Sequence, residues 1–120
     1  MEHEQILVVD DSKLTRTMIK CFTHECQPHW EVLEASSGEE ALSLIDNKCI
    51  NWITIDYSMP GMDGLVLASK LKVALPNANI ALLTANIQSS TKARAKALGL
   101  TYIPKPVTEA KIKSYICELT

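Results

Sequence analysis

The sequence predicts a doubly wound α/β fold, in which a parallel β-sheet is covered by helices on both faces. Short apolar runs alternate along the 120 residues with amphipathic segments of helical periodicity, which gives five β–α units in a row. The apolar runs of the first, third and fourth units are continuous, as in strands that are buried on both sides. No linker, repeat or low-complexity segment interrupts the series, so residues 1–120 are expected to form one domain.

Each unit begins with a predicted strand. The five runs are QILVV (5–9), WEVLEA (30–35), WITI (52–55), NIALLT (79–84) and TYIP (101–104). The second run is more polar than the others and alternates, so we expect it at an edge of the sheet. Right-handed crossovers leave few arrangements of five parallel strands. The flavodoxin-like order 2-1-3-4-5 places the polar strand outermost and is therefore the predicted topology.

The first and last helices are predicted from the spacing of their apolar residues. In the first helix the residues that share one face are Leu14, Met18, Cys21 and Phe22. Pro28 follows shortly after and acts as a stop signal. In the last helix the apolar residues expected to be buried are Ile112, Ile116 and Leu119. Thr108 precedes them at a position suited to cap the helix.

The three middle helices are marked mainly by their ends. The second is expected to open at Ser36, with Glu39 three residues later completing a capping box. Asp63 can cap the third helix, which should end before Pro76. The fourth, QSSTKARAKALG, is rich in helix formers and ends at Gly99, a residue type favoured just after a helix.

Composition excludes several classes of function. The chain is 47% hydrophobic and 22% charged, with a formal net charge of −2 and a sequence pI of about 5.9. Nucleic acids and anionic membrane surfaces bind basic patches, so neither direct DNA binding nor membrane association is expected. The first ten residues do not have the pattern of a signal peptide. No apolar run is long enough to span a bilayer. We therefore expect a cytoplasmic protein.

Cysteines and histidines give no metal-binding or disulfide pattern. The four cysteines contain no C-x-x-C pair, and we expect buried or half-buried free thiols in a reducing cytosol. They are Cys21, Cys26, Cys49 and Cys117. The three histidines are scattered without a second ligand at metal spacing, so surface positions are expected. They are His3, His24 and His29.

Three carboxylates should meet where the strand order reverses. Asp10 and Asp11 follow the first strand, and Asp56 follows the third. Ligands of doubly wound sheets bind at the carboxyl ends of strands at this switch point. Two carboxylates about 4 Å apart repel by roughly 4 kcal/mol at an effective dielectric constant near 20, so three require a cation. Oxygen ligands without nearby histidine or cysteine favour Mg²⁺ or Mn²⁺.

The opposite side of the same crevice carries different groups. Thr84 ends the fourth strand and Lys105 follows the fifth. A hydroxyl, a lysine and a divalent cation around one carboxylate form a receptor for a phosphoryl group. A carboxylate can itself be the nucleophile and form an acyl phosphate. Asp56 is the best candidate because it is central and a loop with available backbone amides follows it.

These residues together resemble the receiver domains of two-component response regulators, in particular the single-domain CheY-like members of chemotaxis systems. The resemblance covers essentially the whole chain. The matching features are the Asp10–Asp11 pair, Asp56 followed by MPGMDG, Thr84 followed by the small Ala85, and the Lys105–Pro106 pair. Each feature alone is weak, but all of them occur in the right order on the right elements.

The resemblance implies a role for each site residue. Asp56 would accept a phosphoryl group from a histidine kinase. Mg²⁺ would be bound by Asp10, Asp11, Asp56 and the backbone carbonyl of Ser58. The Thr84 hydroxyl, the amides of Tyr57 and Ala85, and the Lys105 ammonium would contact the phosphoryl oxygens. The chain would catalyse only its own phosphorylation and dephosphorylation and would not otherwise be an enzyme.

The resemblance also implies how the signal is passed on. Thr84 and Tyr102 match the switch positions, and the Lys105–Pro106 peptide bond is expected to be cis. Partners would be a histidine kinase or phosphotransfer protein and an output protein that binds the fourth helix, fifth strand and fifth helix. The chain is expected to be monomeric. Val107 departs from the family, which commonly has phenylalanine there, and this departure affects the output surface rather than the phosphoryl site.

Alternatives remain at this point. The chain could be the receiver of a longer response regulator. A flavodoxin-like electron carrier would share the fold, but it needs a glycine- and hydroxyl-rich phosphate loop where this sequence has DDSKLT. A phosphatase of the haloacid dehalogenase type would have its nucleophile after the first strand in a D-x-D pattern, whereas Asp10 and Asp11 are adjacent.

Overall fold

The computed structural model describes residues 4–46, 50–85 and 88–117, and over these residues five strands alternate with five helices. The strands are β1 (Gln5–Val9), β2 (Glu31–Ala35), β3 (Trp52–Asp56), β4 (Asn79–Thr84) and β5 (Thr101–Pro104). The helices are α1 (Lys13–Cys26), α2 (Gly38–Leu44), α3 (Gly64–Ala74), α4 (Ser89–Ala97) and α5 (Glu109–Cys117). Each predicted strand therefore agrees with the observed one to within about one residue at either end.

The strands form one parallel sheet in the order β2-β1-β3-β4-β5. This confirms the predicted topology, including the edge position of β2, on which Glu31 and Glu34 are exposed. The register pairs Val9 of β1 with Ile55 of β3, so the residues that follow these two strands lie side by side. The carboxyl ends of all five strands share one edge of the sheet.

Side-chain alternation along the strands explains why helices cover both faces. Ile6 and Val8 belong to a core cluster that includes residues of α1 and α5. Leu7 and Val9 point the other way, into a cluster that includes residues of α2, α3 and α4. Because successive side chains of a strand point to opposite faces, a continuous apolar run needs a hydrophobic partner on each side.

The amino edge of the sheet carries an aromatic cluster. The ring centroids of Trp30 and Trp52 are 5.3 Å apart, and the Tyr115 ring meets Trp52 edge-on at 5.2 Å. The Tyr115 hydroxyl donates to the carbonyl of Asn79 at 2.7 Å and lies 3.1 Å from that of Ile53. Its burial raises the pKa of Tyr115. The cluster anchors α5 at the edge opposite the acidic residues.

The observed helix caps agree with those predicted from the sequence, except at α2. Asp63 accepts from the amide of Val66 at 2.9 Å, and Thr108 accepts from the amide of Lys111 at 3.2 Å, as predicted. The predicted Ser36–Glu39 capping box is wrong by one residue. Ser37 is the N-cap of α2 and accepts from the Glu40 amide at 3.1 Å. The Glu40 carboxylate in turn accepts from the backbone amide and hydroxyl of Ser36.

The apolar face assigned to α1 is also partly wrong. Leu14 is 71% exposed and Cys21 is exposed, whereas Ile19 and Thr23 are fully buried. The Thr23 hydroxyl donates to the carbonyl of Ile19 at 2.7 Å, which satisfies it inside the core. A threonine that bonds back to its own helix can therefore take a core position that a hydrophobic pattern leaves out.

The last helix buries Ile112 and Ile116 as predicted, while Leu119 lies outside the described residues. Gly99 follows α4 with a φ of +75°, the left-handed conformation that glycine adopts without strain. Among the helices of residues 4–46, 50–85 and 88–117, none has both the length and the apolar character needed to cross a bilayer.

Candidate functional site

Three carboxylates meet at the carboxyl edge of the sheet, as the sequence predicts. Asp10 directly follows β1 and Asp56 is the last residue of β3, which are neighbouring strands. Each of Asp10, Asp11 and Asp56 offers a carboxylate oxygen within 4.8 Å of the other two. Asp10 and Asp56 are each only 3% exposed, whereas Asp11 is exposed. The strand register therefore creates an acidic cluster that is closed on the protein side and open on the solvent side.

The surroundings of Asp10 disfavour its charge. Burial, together with the nearby carboxylates of Asp56 and Asp11, raises the pKa of Asp10 from 3.8 to about 6. The Ser12 amide, which donates to Asp10 Oδ1 at 2.9 Å, and the Lys105 ammonium act in the opposite direction. Repulsion within the cluster is therefore only partly relieved by the protein. Clustered carboxylate oxygens without histidine or cysteine are suited to a hard divalent cation.

Lys105 reaches this cluster from the loop that follows β5. Its Nζ lies 2.7 Å from Oδ1 of Asp56, and its backbone amide donates to the carbonyl of Thr84 at 3.0 Å. The Lys105–Pro106 peptide bond is cis. Lys111, one turn into α5, donates to the carbonyls of Pro104 and Pro106 at 2.9 Å each. Lys111 therefore fixes the loop that carries Lys105, a role that was not predicted from the sequence.

The loop after β3 places backbone amides around Asp56. The Ser58 amide lies 3.4 Å from Asp56 Oδ1. The Tyr57 amide instead donates to the carbonyl of Leu83 at 2.9 Å, because the β3–β4 ladder continues one residue beyond Asp56. In the unphosphorylated chain the Tyr57 amide is thus bonded within the sheet and the Ser58 amide faces the carboxylate, while the expected contact of the Tyr57 amide with a phosphoryl oxygen stays a prediction.

The first turn of α3 lies unusually close to this loop. The Gly64 amide donates to the Tyr57 carbonyl at 2.9 Å. A Cβ atom at Gly64 would lie 2.7 Å from the carbonyl oxygen of Asp56, 2.8 Å from Cα of Tyr57 and 2.9 Å from a methyl group of Leu82. Only glycine therefore allows α3 to approach the end of β3 so closely, and the position of Asp56 depends on it.

Arg16 of α1 fixes the acidic loop from behind. Its Nη1 donates to the carbonyl of Asp10 at 2.7 Å, and its Nε donates to the Glu34 carboxylate at 3.1 Å. Arg16 was not predicted as a site residue either. The signal in the sequence is a basic residue in the first turn of the helix that follows the acidic pair. Lys111 stands in a similar place in α5, one turn after the Lys105–Pro106 pair.

Thr84 and Tyr102 lie on adjacent strands of the sheet. Thr84 is the last residue of β4 and is buried, and the exposed Ala85 follows it. Tyr102 on β5 is half-buried, and the ammonium of Lys92 on α4 lies 5.3 Å from the centroid of its ring. Tyr102 is also one of the residues that line a groove of about 370 Å³ between β5 and α5. The paired strands β4 and β5 therefore lie between the acidic cluster and this groove.

The strand order and helix arrangement define a protein of the CheY-like class. The Vibrio cholerae chemotaxis protein CheY4 superimposes with a TM-score of 0.88 over 99% of this chain and 100% of that one, at 24% identity. A CheY-like receiver domain protein from Methanospirillum hungatei superimposes with a TM-score of 0.89 over 98% and 94% of the two chains, at 25% identity. Within that class, the chain belongs to the response regulator receiver domain family, whose model matches residues 6–117.

Sequence relatives extend this finding. The chain is 28% identical to sporulation initiation phosphotransferase F of Bacillus subtilis over 97% of its own length and 93% of that protein. It is 32% identical to the Bacillus subtilis transcriptional regulatory protein YvrH, of which it spans 48%. It also spans 30% of the cyclic di-GMP phosphodiesterase response regulator RpfG of Xanthomonas campestris, at 27% identity. The chain thus corresponds to nearly all of one relative and to half or less of others.

The members of this family share a general function. Receiver domains are signalling switches of two-component systems and are generally not enzymes. They interact with histidine kinases or phosphotransfer proteins, and they typically bind Mg²⁺ at an acidic pocket. In this chain, the acidic cluster of Asp10, Asp11 and Asp56 occupies the carboxyl edge of the sheet.

Proposed function

We propose that this chain is a phosphorylation-activated switch of a two-component phosphorelay and that Asp56 is its phosphoacceptor. The observation that carries the proposal is the position of Asp56. It is buried in a cluster of three carboxylates, and the Lys105 ammonium is 2.7 Å from its Oδ1. A carboxylate held between cationic groups can attack a phosphorus atom while the charge on the phosphoryl oxygens is neutralised.

The proposed transfer breaks one bond and forms another. An Asp56 oxygen attacks the phosphorus of a phosphohistidine, the P–N bond breaks, and the leaving imidazole takes a proton. The product on this chain is an aspartyl phosphate. Lys105, the Thr84 hydroxyl and the amides of Ser58 and Ala85 are proposed to bind the phosphoryl oxygens. All four residues belong to the loops and strand ends that surround Asp56.

Mg²⁺, or Mn²⁺ in its place, belongs to this proposal. Asp10, Asp11, Asp56 and the backbone carbonyl of Ser58 would hold the ion. When bound, it neutralises the carboxylate cluster and the charge that develops on the phosphoryl group. The raised pKa of Asp10 and the mutual proximity of the three carboxylates support the assignment, because the cluster is poorly compensated by protein groups alone.

Two forms of output are consistent with a receiver that carries no effector in residues 1–120. The phosphorylated chain could bind an output protein through α4, β5 and α5, or pass the phosphoryl group onward. The similarity to a sporulation phosphotransferase over nearly its whole length favours onward transfer. Relatives such as YvrH are about twice as long as the matched region, so a receiver within a longer response regulator remains the second candidate. A cytoplasmic location is part of the proposal and is supported by family membership.

The test is phosphorylation by small donors. Acetyl phosphate supplies an acyl phosphate, and phosphoramidate supplies the P–N bond of phosphohistidine. With Mg²⁺ present, intact-mass spectrometry should show one added phosphoryl group in the wild type and none in Asp56→Asn. Asp46→Asn, an exposed acid in the turn after α2, is the matched control and should be modified like the wild type. Full modification of Asp56→Asn would exclude Asp56 as the acceptor.

A further inference from the structure

Two cysteines meet at the ends of the helices that cover one face of the sheet. Cys26 is the last residue of α1 and Cys117 is the last residue of α5. Both are half-buried and pack against the core cluster that these helices share with the sheet. They lie 91 positions apart in the sequence, so nothing in the sequence pattern indicates that they are neighbours.

Two contacts bring the sulfur atoms together. The Cys117 side chain is close enough to the Cys26 thiol to contribute, by hydrogen bonding, to the raised pKa of Cys26. Gln27, the residue directly after Cys26, donates from Nε2 to Sγ of Cys117 at 3.8 Å. This second contact independently places Cys117 against the end of α1. We infer that Cys26 and Cys117 form a reversible dithiol–disulfide pair, oxidised by a low-molecular-weight disulfide, that joins α5 to α1.

The reaction is a double thiol–disulfide exchange. The Cys117 thiolate attacks one sulfur of an external disulfide, forms a mixed disulfide and releases one thiolate. Cys26 then attacks the Cys117 sulfur and releases the second thiolate. Two electrons pass from the pair to the external disulfide, and the two protons of the cysteines end on the two released thiols. Each oxidised pair therefore yields two equivalents of reduced small thiol.

The surroundings of Cys26 decide the order of attack. Burial and the adjacent Cys117 thiol raise the pKa of Cys26 to about 12, although the Lys113 ammonium acts in the opposite direction. The thiolate is the nucleophile in exchange reactions, so Cys26 reacts slowly with an external disulfide. Attack on a sulfur already in contact is not limited by encounter, and this makes Cys26 the second, resolving thiol.

The experiment uses the full chain with Cys21→Ser and Cys49→Ser, so that only the pair remains. Native protein is incubated with oxidised glutathione at mildly alkaline pH, and remaining thiols are alkylated. The expected product has lost two hydrogen atoms, carries no glutathione and yields a cross-linked peptide of residues 26 and 117. Dithiothreitol should restore two alkylatable thiols. Retention of both thiols, or a stable glutathione adduct on the pair, would overturn the proposal.

Two controls make the result specific to this pair. In protein with Cys26→Ser and Cys49→Ser, the remaining Cys21 is exposed on the same helix, and only glutathione adducts without an internal cross-link are expected. In protein with Cys26→Ser, Cys21→Ser and Cys49→Ser, Cys117 should retain one glutathione. If the serine background fails to fold by circular dichroism, peptide mapping of oxidised wild-type protein replaces it, and any linkage other than 26–117 counts against the proposal.

Discussion

The ammonium nitrogen of Lys105 lies 2.7 Å from Oδ1 of Asp56. Lys105 therefore forms an ion pair with the same carboxylate that is proposed to bind a divalent cation and to accept the phosphoryl group. Lys105 is partly exposed, whereas Asp56 is almost completely buried. Like charges about 4 Å apart repel even at a high effective dielectric constant. Lys105 should therefore weaken cation binding while assisting phosphoryl transfer, and a single substitution can separate these two effects.

Replacing Lys105 with methionine should change cation affinity and phosphorylation rate in opposite directions. Mg²⁺ should bind several-fold more tightly, because a competing positive charge has been removed. At saturating Mg²⁺ the rate of phosphorylation by acetyl phosphate should fall about tenfold or more, equivalent to at least about 1.4 kcal/mol of transition-state stabilisation. Calorimetric titration gives the affinity, and intact-mass time courses give the rate.

Lys113→Met is the charge-matched control, since Lys113 faces Glu25 and Cys26 rather than the acidic cluster. It should leave both quantities near their wild-type values. A weaker Mg²⁺ affinity in Lys105→Met would show that the lysine organises the carboxylates instead of competing with the cation.

Asp10→Asn should stabilise the metal-free protein at neutral pH. The folded-state pKa of Asp10 is raised to about 6 from an ordinary value of 3.8, so the folded state holds the proton more tightly than the unfolded state. Ionising Asp10 therefore lowers stability as the pH rises from about 4 to about 6, and the loss is complete above that range. Asparagine keeps an oxygen for the Ser12 amide and has no charge, so the gain at neutral pH could reach about 3 kcal/mol.

Urea unfolding in a chelator at about pH 4 and about pH 7 checks this sign. The advantage of the variant should be small at the lower pH, where the wild-type carboxyl group is largely protonated. Adding Mg²⁺ should stabilise the wild type more than the variant, because only the wild type retains all three carboxylates. An advantage of equal size at both pH values would mean that the charge of Asp10 is not the cause.

Tyr102→Ala should preserve phosphorylation while reducing its effect on the output surface. A phosphoryl group on Asp56 brings roughly −2 charge, and the Thr84 hydroxyl can bond it only by moving toward it. The space vacated would let the Tyr102 ring turn away from Lys92, whose ammonium is 5.3 Å from the ring centroid. Amide shift changes on adding beryllofluoride and Mg²⁺ should therefore be smaller over residues 88–117 in the variant.

Lys92→Met separates the ring from its cationic contact, because it keeps Tyr102 and removes only the ammonium. Its shift changes over residues 88–117 should remain similar to those of the wild type. Identical changes in the wild type and Tyr102→Ala would make Tyr102 a packing residue and nothing more.

Gly64→Ala should destabilise the protein and also impair the site. The new Cβ would meet the Asp56 carbonyl oxygen at 2.7 Å, so either α3 or the end of β3 must shift. Overpacking of this kind costs roughly 1–3 kcal/mol, and here it displaces the phosphoacceptor itself. Urea unfolding should show the loss of stability, and phosphorylation by acetyl phosphate should slow.

Gly61→Ala provides a contrasting control in the same loop. Gly61 has a φ of +84°, and no atom lies within 4 Å of a Cβ placed there. Its substitution should cost about 1–2 kcal/mol from backbone strain alone and leave the phosphorylation rate unchanged. Equal effects of both substitutions on that rate would argue against the close approach of α3 as the determinant.

The strands and their order could be predicted because each run of β-branched and aliphatic residues must be buried on two faces. Ile6 through Val9 leave no polar side for solvent. The capping of α2 could not be resolved from sequence, because SSGEE offers serine and glutamate in two registers one residue apart. The register observed is the one that starts the helix at Gly38 and buries Ala41.

The carboxylate cluster was predictable for a different reason, namely that parallel strands bring their carboxyl ends to one edge. The groups that hold the cluster were not, since Arg16 and Lys111 act through backbone carbonyls of Asp10, Pro104 and Pro106. A carbonyl has no signature in the sequence. The contact of Gln27 with Cys117 depends in the same way on how α1 and α5 pack.

The aromatic cluster at the amino edge has a spectroscopic consequence. Both tryptophans of the chain belong to it, and Trp30 and Trp52 are 8% and 4% exposed. Trp52 begins the strand that Asp56 ends, so the two residues are separated by about 13 Å of extended chain. Intrinsic indole emission should therefore follow global unfolding, which exposes both rings to water, and should change little on phosphorylation. The two rings, 5.3 Å apart, are close enough for their electronic transitions to couple, and circular dichroism then reports how the two tryptophans pack against each other at the amino edge of the sheet.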